Sequence, residues 1–459
     1  MNPDWLPALK ALKVSYLFPY QELAIAQILG PPGLRQGVIL PTGAGKSLCF
    51  QVPALLFDKP TLVVYPLRSL MADQKRRCEQ AGIACAVLQG GQTREQRRKV
   101  QQRLQAGQVK LLLTNPETLI QPAVKKMLST VTFAHAVIDE AHCITLWGKD
   151  FRPTYRELPG VLESLQPERI SAFTATASPR VTEDWTQHLF QGQPWSLIRA
   201  AADRTNLDFA REPYLSLRFT LPRLLTREAR PALVFCRNRE GVRRWAHHIL
   251  RETGLDVRHY HAGMTKEEKT SVEDWFFQSA DGVLCATNAY GMGIDKSGIR
   301  TVIHLDVSNN AEDYLQEAGR AGRDGRPSRA LMLTRAKVGG TPEPTCWRKK
   351  LLAVFEEEPV ICSGCDACRG QTMWLPAELT RTCGLLYRYR GKLDRKECQA
   401  LLRGRAEPGL EALRLWPGWG MWSGLDDLTF RELWAGLEDG GWLVFGKREG
   451  ALLRKVSLN

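Results

Sequence analysis

The 459-residue chain lacks any apolar run approaching the ~18 residues that a membrane-spanning helix needs. Its first residues, Met1 to Val14, lack a charged segment followed by an apolar one, so no secretory leader is expected. Acidic residues are in short supply. There are 49 Asp and Glu against 63 Lys and Arg, a formal charge of +14, and this excess favours a polyanionic partner, most simply nucleic acid. From about Thr372 onward there is no cluster of carboxylates or histidines of a catalytic kind, so chemistry belongs to the first part of the chain. The twelve cysteines do not form a disulfide framework. Most, such as Cys49, Cys85 and Cys285, sit in apolar runs as small core residues, and without an export signal they are expected to be reduced. A chain of this length holds about two to four domains.

What is present begins with the apolar run Gly37-Val38-Ile39-Leu40, followed by Pro41-Thr42-Gly43-Ala44-Gly45-Lys46-Ser47 and a helical stretch to Leu56. Strand, glycine-containing turn and helix make a phosphate loop. Thr42, Gly43, Ala44 and Gly45 turn backbone N–H groups toward a phosphate chain and the helix adds its positive end. Lys46 reaches the β- and γ-phosphates, and the Ser47 hydroxyl ligates Mg²⁺. Upstream, residues 5–29 read as helical. The Gln21 amide could bond adenine through one donor and one acceptor, selecting ATP, or could be an ordinary surface group.

Short β-rich runs then alternate with helical ones: Thr61–Tyr65, Ile83–Leu88, Lys110–Thr114, Ala134–Ile138 and Ile170–Phe173. That alternation predicts a mainly parallel sheet covered on both faces. Asp139-Glu140-Ala141-His142 ends one run; Asp139 suits Mg²⁺ and Glu140 suits polarising the attacking water. Beyond it, Trp147, Phe151 and Arg152 interleave aromatic and cationic groups, as base stacking and phosphate pairing need. Trp147 and Phe151 could equally be core anchors. The pattern loosens around Arg199–Pro213, where a linker is expected, and a second strand set follows: Ala232–Cys236, Val257–Tyr260, Val283–Ala286, Thr301–Leu305 and Ala330–Leu333. It has no phosphate loop of its own. It does have Gly319-Arg320-Ala321-Gly322-Arg323, two arginines that would share one helix face and neutralise a transferring γ-phosphoryl across an interface.

Farther on, Cys346 and the close trio Cys362-x-x-Cys365-x-x-Cys368 can complete a tetrahedral Zn²⁺ shell of structural kind, with no open position; a redox disulfide is the alternative. Pro376–Leu386, Arg395–Leu402 and Thr429–Leu437 read as helices. Pro376 would sit at a first helical position, Thr429 and Glu432 would form a capping box, and Trp442–Phe445 with Ala451–Val456 would form a hairpin. Residues 381–405 hold eight Lys and Arg against Asp394 and Glu397, a duplex-binding surface in prospect. The hairpin tip Lys447-Arg448-Glu449 carries no aromatic wedge.

Pro41–Ser47, Tyr65–Gln74, Asp139–Arg152, Thr174–Ala177, Gly291–Lys296 and Gln316–Gly325, taken in order, resemble superfamily-2 helicases and specifically the RecQ family. The resemblance implies an α/β protein of two tandem RecA-like domains, residues 1–203 and 204–339, then a zinc module at 340–372 and a winged-helix domain at 373–459. It implies ATP- and Mg²⁺-driven 3′→5′ unwinding of DNA in repair or recombination, with single-stranded and duplex DNA as partners. Single-strand-binding or repair proteins would be further partners, and the setting would be the bacterial cytoplasm and nucleoid. Arg68, Ser69, Arg239 and Thr287 become candidate phosphate contacts. The chain departs from the family pattern at Phe18, usually Arg, at Leu146, usually Gln, and at Lys149, usually His. A DNA-stimulated translocase with little unwinding, and a zinc-dependent binding protein with a vestigial ATPase, are the rival readings.

Overall fold

The computed structural model describes all residues except 1, 42, 148–153, 176, 201–202, 288–289, 291–295, 306–310, 337–344, 356–360, 371–376, 390–391, 406–407, 446–450 and 453–459; of Pro3, Ser69, 146–147, 377–381, 444–445 and 451–452 it describes the backbone alone. Two parallel sheets form the body of the molecule.

The first sheet contains β1 (Arg35–Ile39), β2 (Thr61–Val64), β3 (Cys85–Val87), β4 (Leu111–Thr114), β5 (His135–Ile138), β6 (Ile170–Thr174) and β7 (Ser196–Arg199), in the spatial order β3-β4-β2-β5-β6-β1-β7. Every pairing is parallel. Because helices cover both faces, β2, β4, β5 and β6 are buried along their whole length, which is why their sequences read as continuous apolar runs rather than alternating ones. Five helices carry or brace the candidate functional residues: α1 (Leu6–Ala11), α2 (Pro19–Ile28), α3 (Lys46–Leu56), α4 (Arg68–Gln80) and α5 (Arg94–Gln105). The helical stretch expected over 5–29 is built as two helices. Lys13 adopts φ +57°, a left-handed conformation that ends α1, and Pro19 opens α2 at its first turn.

The second sheet contains β8 (Leu207–Tyr214), β9 (Ala232–Phe235), β10 (Val257–Tyr260), β11 (Val283–Ala286), β12 (Thr301–His304) and β13 (Ser328–Arg335), ordered β10-β11-β9-β12-β13-β8 and again parallel throughout. Here the expected linker over Arg199–Pro213 needs correcting. Most of its second half is strand, β8, in register with β13 from Leu207↔Ser328 to Tyr214↔Arg335. Its polar residues lie where an edge strand meets solvent, while Leu207 and Phe209 turn inward.

Edge strands need cover, and the cysteine loop supplies it. Phe209 N donates to Gly364 O at 3.3 Å and Asp366 N to Phe209 O at 3.3 Å. Arg211 Nε meets the buried Asp366 carboxylate at 2.8 Å. Arg348, fully buried, reaches Asp203, the Leu207 carbonyl and the Gly364 carbonyl, so it ties this loop to the segment joining the sheets.

The last region contains the helices Ala377–Arg388, Arg395–Arg403 and Asp427–Asp439 and an antiparallel pair, β14 (Val444–Phe445) with β15 (Ala451–Leu452). Leu401, Leu433, Trp434 and Trp442 form its core together with Leu215 and Phe219 of the second sheet's domain. A Cβ at Gly436 would lie 2.4 Å from the Leu215 carbonyl oxygen, so only glycine lets the helix dock this closely. Thr429 is not the cap expected for that helix. Asp426 is, accepting from Thr429 N at 2.8 Å, while Glu432 turns away to Ser216 Oγ at 2.9 Å. Pro376 and the hairpin tip Lys447-Arg448-Glu449 lie outside the described residues.

Candidate active site between the two sheets

In the first sheet β1 is separated from β2 by β6 and β5, so the crossovers after β1 and β5 open a crevice at the carboxyl ends of the strands, where open α/β sheets receive ligands. The loop after β1 delivers Lys46 and Ser47 there, and the turn after β5 delivers Asp139 and Glu140.

Gly45 caps α3 in a left-handed conformation, φ +74°, with no side chain bonded to the helix N-terminus. The first N–H groups of α3 therefore stay available to an anion. Gln21 lies beneath the loop. Its Oε1 accepts from Phe18 N at 2.8 Å and its Nε2 donates to Ala44 O at 2.9 Å. A Cβ at Gly45 would come within 2.5 Å of that amide. In this state Gln21 therefore braces the phosphate loop itself. Thr42 lies outside the described residues.

Lys46 Nζ stands 3.8 Å from Glu140 Oε1. Glu140 adopts φ +50°, a conformation that costs a non-glycine residue on the order of 1 kcal/mol or more and that clusters at functional sites. Burial raises the Asp139 carboxyl, and the adjacent Glu140 charge raises it further, to about 7. Burial acts in the same direction on Glu140, but Lys46, His142 and Arg320 outweigh it and hold that carboxyl below its ordinary value. Burial lowers the His142 imidazole below its ordinary value, with the Glu140 charge acting the other way, and its Nδ1 lies 2.7 Å from Thr174 Oγ1 and 3.4 Å from Glu140 Oε2. The β6 hydroxyl thus holds the imidazole beside the carboxylate turn.

The second sheet closes the site. Arg320 and Arg323 do not share a helix face as expected, because the helix ends at Ala318 and both lie in the turns that follow. They reach the same place nonetheless. A Cβ on Gly43 would meet the Arg323 side chain at 3.3 Å, so the arginine lies on the phosphate loop. Arg320 is 4% exposed and its Nε has no hydrogen-bond partner among the described residues. Burial, then the charge of Arg323, lowers it to about 10. Two residues that local sequence did not mark hold this turn: Arg204 donates to Gly319 O at 2.9 Å and Asn206 Nδ2 to Gly322 O at 2.8 Å. Between the sheets lies a narrow, partly open cleft lined by Pro41, Ala175, Asp203, Arg204, Leu315 and Phe355 among others.

Of the candidate nucleic-acid contacts, Arg68 is exposed at the start of α4, Arg239 is exposed at the start of the Arg239–Thr253 helix, and Thr287 is buried just after β11. The Ser69 and Trp147 side chains, with Phe151, Arg152 and Gly291–Asp295, lie outside the described residues. The Cys346, Cys362, Cys365 and Cys368 sulfurs lie within 4.8 Å of one another.

The description "DEAD/DEAH box helicase" matches residues 18–185, and "Helicase conserved C-terminal domain" matches residues 217–325. The chain is 38% identical over 340 residues to the ATP-dependent DNA helicase RecQ of Haemophilus influenzae, covering 74% of this chain and 53% of that one. The chain is a homologue of RecQ helicases over most of its length. The Pasteurella multocida RecQ is 35% identical over 382 residues, covering 83% of this chain and 58% of that protein. The chain spans between half and three fifths of the length of those relatives. Among solved structures, the helicase MrfA bound to DNA aligns with a TM-score of 0.61 at 17% identity, covering all of this chain and 60% of that one. Mss116p bound to single-stranded RNA and AMP-PNP aligns with 0.61 at 16%, covering 85% and 84%. Both likenesses concern the fold: two RecA-like parallel-sheet domains.

Proposed function

We propose that the chain is an ATP-dependent DNA helicase of RecQ type, moving 3′→5′ along a single strand and opening duplexes. The observation that carries this reading is the seating of Arg323 against Gly43. The arginines of one lobe reach the phosphate loop of the other only when the lobes close, so hydrolysis and lobe motion are one event. Lys46 and the uncapped start of α3 would hold the triphosphate, Ser47 and Asp139 would hold Mg²⁺, and Glu140 would orient the attacking water. The donor set fits a hard cation: a hydroxyl beside a buried carboxylate pair balanced by one lysine. The bound Mg²⁺ would supply charge neutralisation at the phosphates.

Four thiolates at Zn–S distances of about 2.3 Å stand about 3.8 Å apart in a tetrahedron, and Cys346 Sγ to Cys365 Sγ is 3.9 Å. We take residues 340–372 as a structural zinc module bracing the edge of lobe 2 (204–339). Residues 373–459, three helices and a hairpin, are taken as a winged helix for duplex DNA, with 1–203 as lobe 1. The names of the relatives support DNA as the partner.

Unwinding of 3′- and 5′-tailed duplexes, with ATP, tests the reading. The wild type is expected to release strands from the 3′-tailed substrate and Glu140→Gln to release none. ATP consumption without strand release on either substrate would turn the assignment to a translocase.

A further inference from the structure

Away from the cleft, β3 forms the edge of the first sheet, and the α5 that comes after it is strongly basic: Arg94-Glu95-Gln96-Arg97-Arg98-Lys99-Val100-Gln101-Gln102-Arg103. Val100 and Leu104 bury its inner face. Most cations of α4 and α5 are already engaged. Arg76 and Arg77 pair with Asp73, Lys75 with Glu79 and Lys99 with Glu95. Arg97 donates to Gln121 and Arg103 to the Cys85 carbonyl, which fastens α5 to the body. Among the described residues of these two helices, the cations without a partner are Arg68, Arg94 and Arg98.

Arg68 lies against the loop that leads to the other two. Arg68 Nη2 lies 2.6 Å from where a Gly90 Cβ would stand, so the guanidinium rests on the loop that leads into α5. That loop is braced, with Gln92 accepting from Gln89 N at 3.0 Å and donating to Val87 O at 2.9 Å. Gly91, at φ +88°, has open space above its Cα. Arg94 and Arg98, one turn apart, share the exposed face of α5 and stand about 6 Å apart along its axis, a separation comparable with that of neighbouring phosphates on an extended strand.

We propose that a single strand of DNA held at Arg68 continues over Gly90–Gly91 and along α5, with Arg94 and Arg98 neutralising successive phosphates. One row of free cations flanked by self-neutralised pairs fits one backbone, whereas a duplex presents two. The track lengthens the footprint that begins at Arg68 and rests on the DNA-helicase reading.

The test measures binding of single-stranded oligonucleotides of roughly 6 and roughly 16 nucleotides to the whole chain. For Arg94→Ala/Arg98→Ala the longer strand is expected to bind on the order of tenfold more weakly. The slope of log K against log salt is expected to shrink by about 1.4, two phosphates at ~0.7 each, with the shorter strand held as before. Arg94→Lys/Arg98→Lys is expected to restore the longer footprint, which excludes misfolding as the cause. Equal loss on both lengths, or no loss on either, would overturn the track. A wild type that binds neither oligonucleotide would overturn the helicase reading itself.

Discussion

Both lobes contain a strand running into a helix at the carboxyl edge of a parallel sheet, and only one of the two helices leaves its N-terminus uncapped. In lobe 1, β1 leads to α3 through Gly45, which leaves the helix N-terminus open. In lobe 2, β9 leads to the Arg239–Thr253 helix through Asn238, whose side chain accepts from Gly241 N at 2.7 Å. The cap occupies the place an anion would take. At the first two helical positions lobe 1 has Lys46 and Ser47, and lobe 2 has Arg239 and Glu240; a carboxylate there repels phosphate as well as lacking a metal-binding hydroxyl. One architecture is thus equipped for two tasks, and lobe 1 differs from lobe 2 in its open cap, its glycine turn and its lysine together.

The largest expected effect tests that division directly. Arg320→Ala or Arg323→Ala is expected to lower DNA-stimulated ATP turnover roughly 10³-fold while nucleotide affinity stays near that of the wild type, because lobe 1 still grips. Lys46→Ala is expected to lose nucleotide affinity itself. If titration of a fluorescent ATP analogue showed Arg323→Ala binding as poorly as Lys46→Ala, grip and closure would not be separable.

Glu140→Gln is the next step down, with turnover reduced by ~10²-fold or more and ATP still bound. His142→Ala is expected to act through Glu140, since the imidazole, held by Thr174, stands 3.4 Å from that carboxylate. Its loss should be about tenfold, seen in kcat rather than KM. A larger loss for His142→Ala than for Glu140→Gln would transfer the water-orienting role to the histidine.

How legible these features are in the sequence depends on how local their causes are. The phosphate loop and Asp139-Glu140 are short strings whose chemistry is complete within a few residues, and the buried strands announce themselves as apolar runs. The support of the arginine turn is not local. Arg204 and Asn206 act on Gly319 and Gly322, more than a hundred positions away, and nothing near 204 signals it. β8 is hidden for a related reason: an edge strand alternates and carries charge, and only its register with β13 and the cysteine loop laid against Phe209 make it a strand. Asp426 rather than Thr429 caps the Asp427–Asp439 helix because the choice between two oxygen-bearing side chains three residues apart is settled by where Glu432 is drawn, toward Ser216.

The smallest effect probes the comparison at its root. Asn238→Ala removes the lobe 2 cap and is expected to lower stability by about 1 kcal/mol, whereas Asn238→Gly, which copies the lobe 1 arrangement, should cost only a few tenths. Chemical denaturation measures both. Neither variant is expected to acquire a second nucleotide site, because Glu240 still faces the opened N-terminus. Calorimetric titration with ATP should therefore keep its single-site stoichiometry for Asn238→Gly and for Asn238→Gly/Glu240→Ser alike. Opening the cap and removing the carboxylate supply neither the glycine turn that wraps the phosphates nor the lysine that reaches them. A second bound nucleotide in the double variant would mean that capping and a hydroxyl alone distinguish the two lobes, with the loop's shape contributing little.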